Sequence, residues 1–382
     1  MAEKWTLESA AASRGPVLHP LAGANVRTLL AQMRNNGPFD ARSRHQRVLA
    51  WATTMVRFPF YKLESAVWGK AVREHQIERP PIFLIGHWRS GTTHLHNILS
   101  RDPQFGYIDF AETSLPWNML GKKVKMARAI VSAALPKTRG MDNVRMAVEE
   151  PQEEEMALGN MNPISYYNNF YYPQDAERQI RRSLLFEGAT DDEVADFEAA
   201  YALLIRKMSY AKKGRQMLFK NPASTTRIPM LKRLYPDAKF VYIVRDPYEV
   251  YSSMVAKFPR LYNAFAWQRF DDIDIPKMVL RTYRDLMQTY LADREALDSG
   301  DLIETSYEAI TRDPMAEVAR FYEAFDIPDR ESGMEAIGTY LNSVSNYQRN
   351  QHVIPEAERE QIREMWGFSF DAWGYSKGEG SE

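Results

Sequence analysis

Residues 82–93 read I-F-L-I-G-H-W-R-S-G-T-T, and the organisation of the chain follows from them. The run I-F-L-I is wholly apolar and is bounded by Pro80-Pro81 on one side and Gly86 on the other. A short apolar run between breakers predicts a strand buried on both faces, as in a parallel sheet. A glycine-containing turn follows, and then a helix on which Leu95, Ile98 and Leu99 share a face. Backbone N–H groups in such a turn, with the free donors and positive dipole end of the helix behind them, cradle an anion without any particular side chain. Gly86 and Gly91 stand five apart, as in the G-x-x-x-x-G-K-[ST] phosphate loop, but Thr92 occupies the lysine position. Without the lysine that reaches the outer phosphates, a nucleoside triphosphate is poorly held, which weighs against an ATPase or kinase.

The same pattern repeats outward from this unit. Apolar runs at 216–220 (Q-M-L-F-K) and 239–245 (K-F-V-Y-I-V-R) each lead into helical periodicity, through Ile228, Leu231 and Leu234 and through Val250, Met254 and Phe258. A further unit is D-L-I-E-T-S-Y at 301–307, followed by a helix near 314–325. Alternating strand and helix predicts a P-loop-like, three-layer α/β fold with a central parallel sheet. Before it, residues 21–76 carry apolar and aromatic residues at helical spacing, which predicts two or three helices. The expected division is an N-terminal helical extension over 1–76, a main domain over 77–375 with a helical insertion at 119–215, and a polar tail over 376–382.

Composition narrows the function classes. Forty-nine basic and 50 acidic residues leave a net charge of -1, so no global field selects nucleic acid. The absence of cysteine removes disulfides, thiolate metal sites and cysteine nucleophiles, and suits a reducing compartment; the expected location is cytoplasmic. The N-terminus lacks the apolar core of a secretory signal, and no apolar run approaches the roughly 18–20 residues that span a bilayer. Two segments are charge-biased. Residues 119–139 carry Lys122, Lys123, Lys125, Arg128, Lys137 and Arg139 with no acid, whereas 149–155 read E-E-P-Q-E-E-E. They read as a solvated basic helix with an acidic turn that pairs with it, or as a lid or membrane-surface helix beside a cleft.

Three motifs together carry a family resemblance. F-L-I-G-H-W-R-S-G-T-T resembles the 5′-phosphosulfate loop of sulfotransferases that use 3′-phosphoadenosine-5′-phosphosulfate (PAPS), in the branch with R-S-G-T-T that includes the tyrosylprotein sulfotransferases. The second, K-F-V-Y-I-V-R-D-P-Y-E-V-Y-S-S at 239–253, is similar to the family's 3′-phosphate segment, in which an arginine and a serine eight residues later hold the extra phosphate. Arg245 and Ser253 keep that spacing, and arginine suits the task because its fork binds phosphate bidentately. The third, L-F-K-N-P-A-S-T-T-R-I-P at 218–229, places Lys220 where the resemblance implies a cation at the bridging oxygen of the leaving group.

The resemblance implies PAPS as donor and 3′-phosphoadenosine-5′-phosphate (PAP) as product, bound by Arg89, Ser90, Gly91, Thr92, Thr93, Arg245 and Ser253, with no metal. Tyr347 and Arg349, in N-Y-Q-R-N-Q-H, stand where cytosolic members have a glycine- and lysine-rich segment that is missing here, and are candidates to stack on adenine and support the 3′-phosphate. In-line displacement at sulfur needs a general base. The resemblance to tyrosylprotein sulfotransferases nominates Glu112, in F-A-E-T at 110–113; His94 and His96 are its rivals, and two-residue spacing points them to different faces of the helix. Catalytic roles thus fall on Glu112, Lys220, Arg89 and His94. The expected acceptor is a hydroxyl or amine, on a small molecule or a lipid-like one, because both 26–68 and 119–139 mix basic with large apolar residues; peripheral contact with a membrane goes with it. The competing readings are a P-loop nucleotide kinase or phosphotransferase, and a non-catalytic membrane-surface binding protein.

Overall fold

The computed structural model describes residues 19–121, 128, 148–343 and 354–378. Two helices open it, α1 (Val26–Asn35) and the 31-residue α2 (Arg44–Glu74). Then come β1 (Ile82–Ile85), α3 (Thr92–Leu99), the two-residue β2 (Phe105–Gly106) and α4 (Phe110–Ser114). Helices α5 (Glu155–Met161), α6 (Ala176–Leu185) and α7 (Asp191–Ala211) precede β3 (Gln216–Lys220). The chain continues through α8 (Ile228–Leu234), β4 (Lys239–Val244), α9 (Pro247–Phe265) and α10 (Ile275–Asp293) to β5 (Leu302–Ser306). It closes with α11 (Tyr307–Arg312), α12 (Pro314–Ala324), α13 (Arg330–Ser343) and α14 (Glu356–Trp373).

The strands form one sheet in the order β2-β3-β1-β4-β5, parallel throughout. This is the α/β architecture expected from the alternating pattern. The short β2 is an addition, because two residues offer no periodicity to read. Successive side chains on a strand point to opposite faces, so one strand feeds two cores. Phe83, Phe219 and Phe240 stack across β3, β1 and β4 with centroids 5.7 Å apart at each step, on the face covered by the N-terminal helices, α7, α10 and α14. Ile82, Leu84, Leu218 and Val241 fill the other face beneath α3, α12 and α13. Continuous apolar runs were needed because both faces are buried.

The segment before β1 is built into this core. Leu21, Leu29, Ala50 and Val72 belong to the same apolar cluster as Phe83 and Tyr242. Glu64 of α2, itself buried, accepts from the backbone N–H of Leu120 at 2.8 Å and pairs with Lys207 of α7 at 2.5 Å.

Candidate active site

Three neighbouring strands deliver the predicted residues to one edge of the sheet. Leu84 is in register with both Lys220 and Val241, so the carboxyl ends of β3, β1 and β4 lie side by side. Such an edge, where strand order reverses, is where open α/β sheets bind ligands.

The turn after β1 is tightly constrained. Gly86 has φ +135°, and a Cβ there would lie 2.4 Å from the carbonyl oxygen of Ile243. Its N–H donates to Thr225 Oγ1 at 2.8 Å, and that hydroxyl donates back to the Gly86 carbonyl at 3.2 Å. Gly91, the N-cap of α3, has φ +98°, and a Cβ there would run into the ring of Tyr307, 2.4 Å away. Only glycine meets both demands at once. Arg89 adopts a left-handed conformation, φ +73°, which projects its side chain across to α9, where Nε donates to Ser253 Oγ at 2.6 Å. Arg245 donates to the Arg89 carbonyl at 3.1 Å and to Glu249 at 3.1 Å, and its guanidinium lies 4.4 Å over the Tyr307 ring. The loop and the 239–253 segment are thus one constellation. Ser90 Oγ is buried and has no hydrogen-bond partner among the described residues, and Thr92 and Thr93 open α3 just beyond it. An anion with several acceptor oxygens fits this cradle: it would take the orphaned hydroxyl, the helix N-terminus and the two guanidinium groups.

Lys220 ends β3 with its side chain buried and its Nζ 2.6 Å from Glu153 Oε1. That carboxylate belongs to the acidic run 149–155, which departs from expectation. Its second half is no solvated turn, for Glu154 and Glu155 are buried. The run is pinned beside the segment after β2 by Gln152 N–H to the Ile108 carbonyl at 2.9 Å and by Arg101 to Glu150 at 2.8 Å. Three consecutive acids then take three different partners. Glu153 meets Lys220. Glu154 accepts from the Tyr201 hydroxyl at 2.6 Å, and burial pushes its carboxyl up to about 7 in spite of that bond. Glu155 pairs with the fully buried Arg227 at 2.7 Å and accepts from Asn221 at 2.8 Å. Burial alone would raise the Glu155 carboxyl, yet the Arg227 guanidinium and the hydrogen bonds to it hold it below the ordinary value. The sequence reading took the three acids only as part of a charged run, and it did not name them or Tyr201 as site residues. The one available signal was that E-E-E runs directly into the M-A-L-G-N-M of a helix.

Glu112 is also buried, but it is committed differently. It forms a capping box with Asp109: the Glu112 N–H donates to Asp109 Oδ1 at 3.0 Å, and the Asp109 N–H donates to Glu112 Oε2 at 2.9 Å. Lys212 donates to both of its oxygens at 2.9 and 3.0 Å, and Arg128 reaches Oε1 at 3.1 Å and also pairs with Asp109. Burial and the neighbouring Glu112 charge push the Asp109 carboxyl up to about 6. The two helical histidines do diverge. His94 is half-buried, whereas His96 is fully buried with its pKa well below the usual value, first because of burial and then because of the Lys220 charge. Tyr347 and Arg349 lie outside the described residues, as do Lys122, Lys123, Lys125, Lys137 and Arg139.

Comparison with known proteins places this geometry. A family model described as the sulfotransferase family matches residues 80–331. The chain belongs to the sulfotransferase family. This sulfotransferase is 30% identical over 335 residues to omega-hydroxy-beta-dihydromenaquinone-9 sulfotransferase Stf3 of Mycobacterium bovis, spanning 87% of this chain and 85% of that one. The protein of the same name from Mycobacterium tuberculosis matches equally. Among solved structures, sulfotransferase STF9 from Mycobacterium avium superposes with a TM-score of 0.72 at 18% identity, covering 92% of this chain and 91% of that one. Sulfotransferase STF1 from M. tuberculosis gives 0.62 at 18%, covering 89% and 90%. The sulfotransferase fold extends over the N-terminal helices as well as the sheet, since both likenesses cover far more than residues 80–331.

Proposed function

We propose that this sulfotransferase moves a sulfuryl group from PAPS to the hydroxyl of an amphiphilic, lipid-like acceptor. The observation that carries the donor is the convergence of Arg89, Arg245 and Ser253 at one end of the cradle with Lys220 at the other, over the carboxyl ends of β3, β1 and β4. In this reading Ser90, Gly91, Thr92 and Thr93 hold the 5′-phosphosulfate, while Arg245 and Ser253 hold the 3′-phosphate with Arg89 between the two. Calorimetry with PAP and AMP tests it. Loss of a charge-assisted phosphate contact costs about 1.5–3 kcal/mol, so PAP should bind one to two decades more tightly than AMP; equal affinities would remove the assignment.

The reaction forms a bond from the acceptor oxygen to sulfur and breaks the bond from sulfur to the bridging oxygen, whose electron pair stays on the 5′-phosphate of PAP. Lys220 exchanges Glu153 for that oxygen as charge builds on it. Glu153, released beside the reacting centre, takes the acceptor's proton. Its 2.6 Å contact with Lys220 favours it over Glu112, whose two oxygens already accept from Lys212, Arg128 and the Asp109 N–H. Lys212 lies before β3 and Lys220 ends it, so the two carboxylates are drawn toward opposite ends of that strand. The acceptor class is supported by the name of the M. bovis relative, whose substrate is a hydroxylated menaquinone.

A further inference from the structure

The large apolar side chains that stay exposed among the described residues all lie on one helix: Val48, Leu49, Met55, Val56, Phe58, Phe60, Leu63 and Val67 of α2. A soluble surface seldom gathers so many, and a contiguous patch of this kind marks an interaction site. Leu49, Val56, Phe60, Leu63 and Val67 follow at spacings of seven, four, three and four, which aligns them in a single stripe. A neighbouring face is fixed in the protein through Ala50, Thr54, Glu64 and Val72. Charge on the helix is one-sided. Arg44, Lys62, Lys70 and Arg73 are exposed, whereas of its two acids Glu64 is buried against Lys207 and only Glu74, in the last position, reaches solvent. Lys62 lies 5.5 Å over Phe58 and 5.7 Å over Tyr61, an arrangement that sets a cation at the rim of an apolar surface.

Beside the stripe, Phe58, Tyr61 and Arg57 of α2 meet Val26 and Trp117 around a cleft. Trp117, 4.9 Å from Tyr61 and edge-on to it, follows α4 by three residues, so the cleft joins the exposed helix to the segment that leads away from Glu112. No helix among the described residues is long and apolar enough to cross a membrane.

We propose that α2 is a membrane-docking helix: its apolar stripe enters the interface of an anionic bilayer, its cations meet the headgroups, and the lipid-like acceptor reaches the enzyme from that bilayer. This rests on the lipid-acceptor reading above and supplies its route. A helix lying in the interface binds through buried apolar area plus attraction to anionic lipid, the two features present here. A protein partner or a second copy would need acids to meet these cations, and a neutral or zwitterionic surface would leave them unused.

The experiment is flotation of the full chain with vesicles of phosphatidylglycerol and phosphatidylcholine, beside vesicles of phosphatidylcholine alone. Binding is expected to anionic vesicles, to weaken as salt rises, and to fall by roughly tenfold or more in the double variant Val56→Glu, Leu63→Glu, since two interfacial aliphatic side chains are replaced by anions. Both positions are exposed, so folding should be retained, and the variant's thermal midpoint checks that. Transfer to a short-chain alcohol acceptor in solution should be unchanged in the variant, while transfer to a long-chain alcohol presented in anionic vesicles should fall with binding. Absence of wild-type flotation, or flotation untouched by the double variant, overturns the proposal. So does a wild-type dimer in light scattering that the variant converts to monomer, which would assign the stripe to a second copy. Vesicle binding without sulfation of any amphiphile would instead sink the lipid-acceptor reading and leave the docking surface standing.

Discussion

Two acidic clusters flank β3, and they differ in how their charge is committed. At Glu112 the partners are local or mutually redundant: a capping box with Asp109, Arg128 paired with both acids, and Lys212 bonded to Glu112 with its charge also felt by Asp109. At Glu153–Glu155 each carboxyl has its own partner from a different element: Lys220 of β3, Tyr201 of α7, and Arg227 at the start of α8. A redundant network tolerates the loss of one charge, because the remaining acid still neutralises the cations. Separate partners drawn from separate elements cannot stand in for one another, so three adjacent residues of the same type should respond to substitution in three distinct ways.

The sharpest contrast is in turnover. Glu153→Gln should lower kcat by roughly 10²–10⁴-fold, the range for removal of a general base, with PAP affinity held near wild type. Glu112→Gln should lower it far less. Single-turnover assays with the two variants decide the matter: if Glu112→Gln is the inactive protein and Glu153→Gln the active one, the catalytic roles of the clusters are exchanged.

Next in size is a loss of stability. Glu155→Gln leaves the buried Arg227 guanidinium without its counter-charge, and breaking a buried pair in this way costs about 3–5 kcal/mol. Denaturant unfolding should show it. A midpoint close to wild type would mean that the Ser183 carbonyl and solvent compensate Arg227, and the dependence of that guanidinium on Glu155 would fail.

The smallest effect depends on pH. The Glu154 carboxyl is raised in the folded chain to about 7 against an ordinary value of 4.5, so between these values the folded state holds a proton that the unfolded state has released. Its contribution to stability is therefore present in full below the unfolded value and is lost as pH climbs to about 7, by an amount on the order of 3 kcal/mol. Glu154→Gln should flatten this part of the stability profile. Asp109, raised to about 6, makes a similar loss at slightly lower pH, so the wild-type decline should be reduced by the substitution without vanishing. An unaltered slope would show that Glu154 is ionised in its buried site.

The sheet was legible because its strands announce themselves locally: I-F-L-I, Q-M-L-F-K and K-F-V-Y-I-V are apolar runs that only a two-sided burial explains. The turn after β1 was legible for a related reason, since glycine positions report backbone geometry, and Gly86 and Gly91 prove to be sites where a Cβ has no room. The 149–155 run was not. Its composition is that of a solvated loop, and its burial is decided by Lys220, Tyr201 and Arg227, which lie 67, 47 and 72 residues away along the chain. Sequence pattern encodes neighbours within a helical turn or a strand, whereas this segment is defined by partners that arrive from elsewhere. Glu112 was named by a motif match, and what the motif could not carry is that the capping box and Lys212 also occupy its oxygens.

Tyr307, the first residue beyond β5, touches the cradle twice: its ring fills the space a side chain at position 91 would need, and it carries the Arg245 guanidinium on its face. The turn proposed to hold the 5′-phosphosulfate and the arginine proposed to hold the 3′-phosphate therefore share one wall, furnished by the residue that opens α11. On the proposed donor reading, a nucleotide that steadies Arg245 would also steady the turn at Gly91, and a shift at position 307 would loosen both of its phosphate ends.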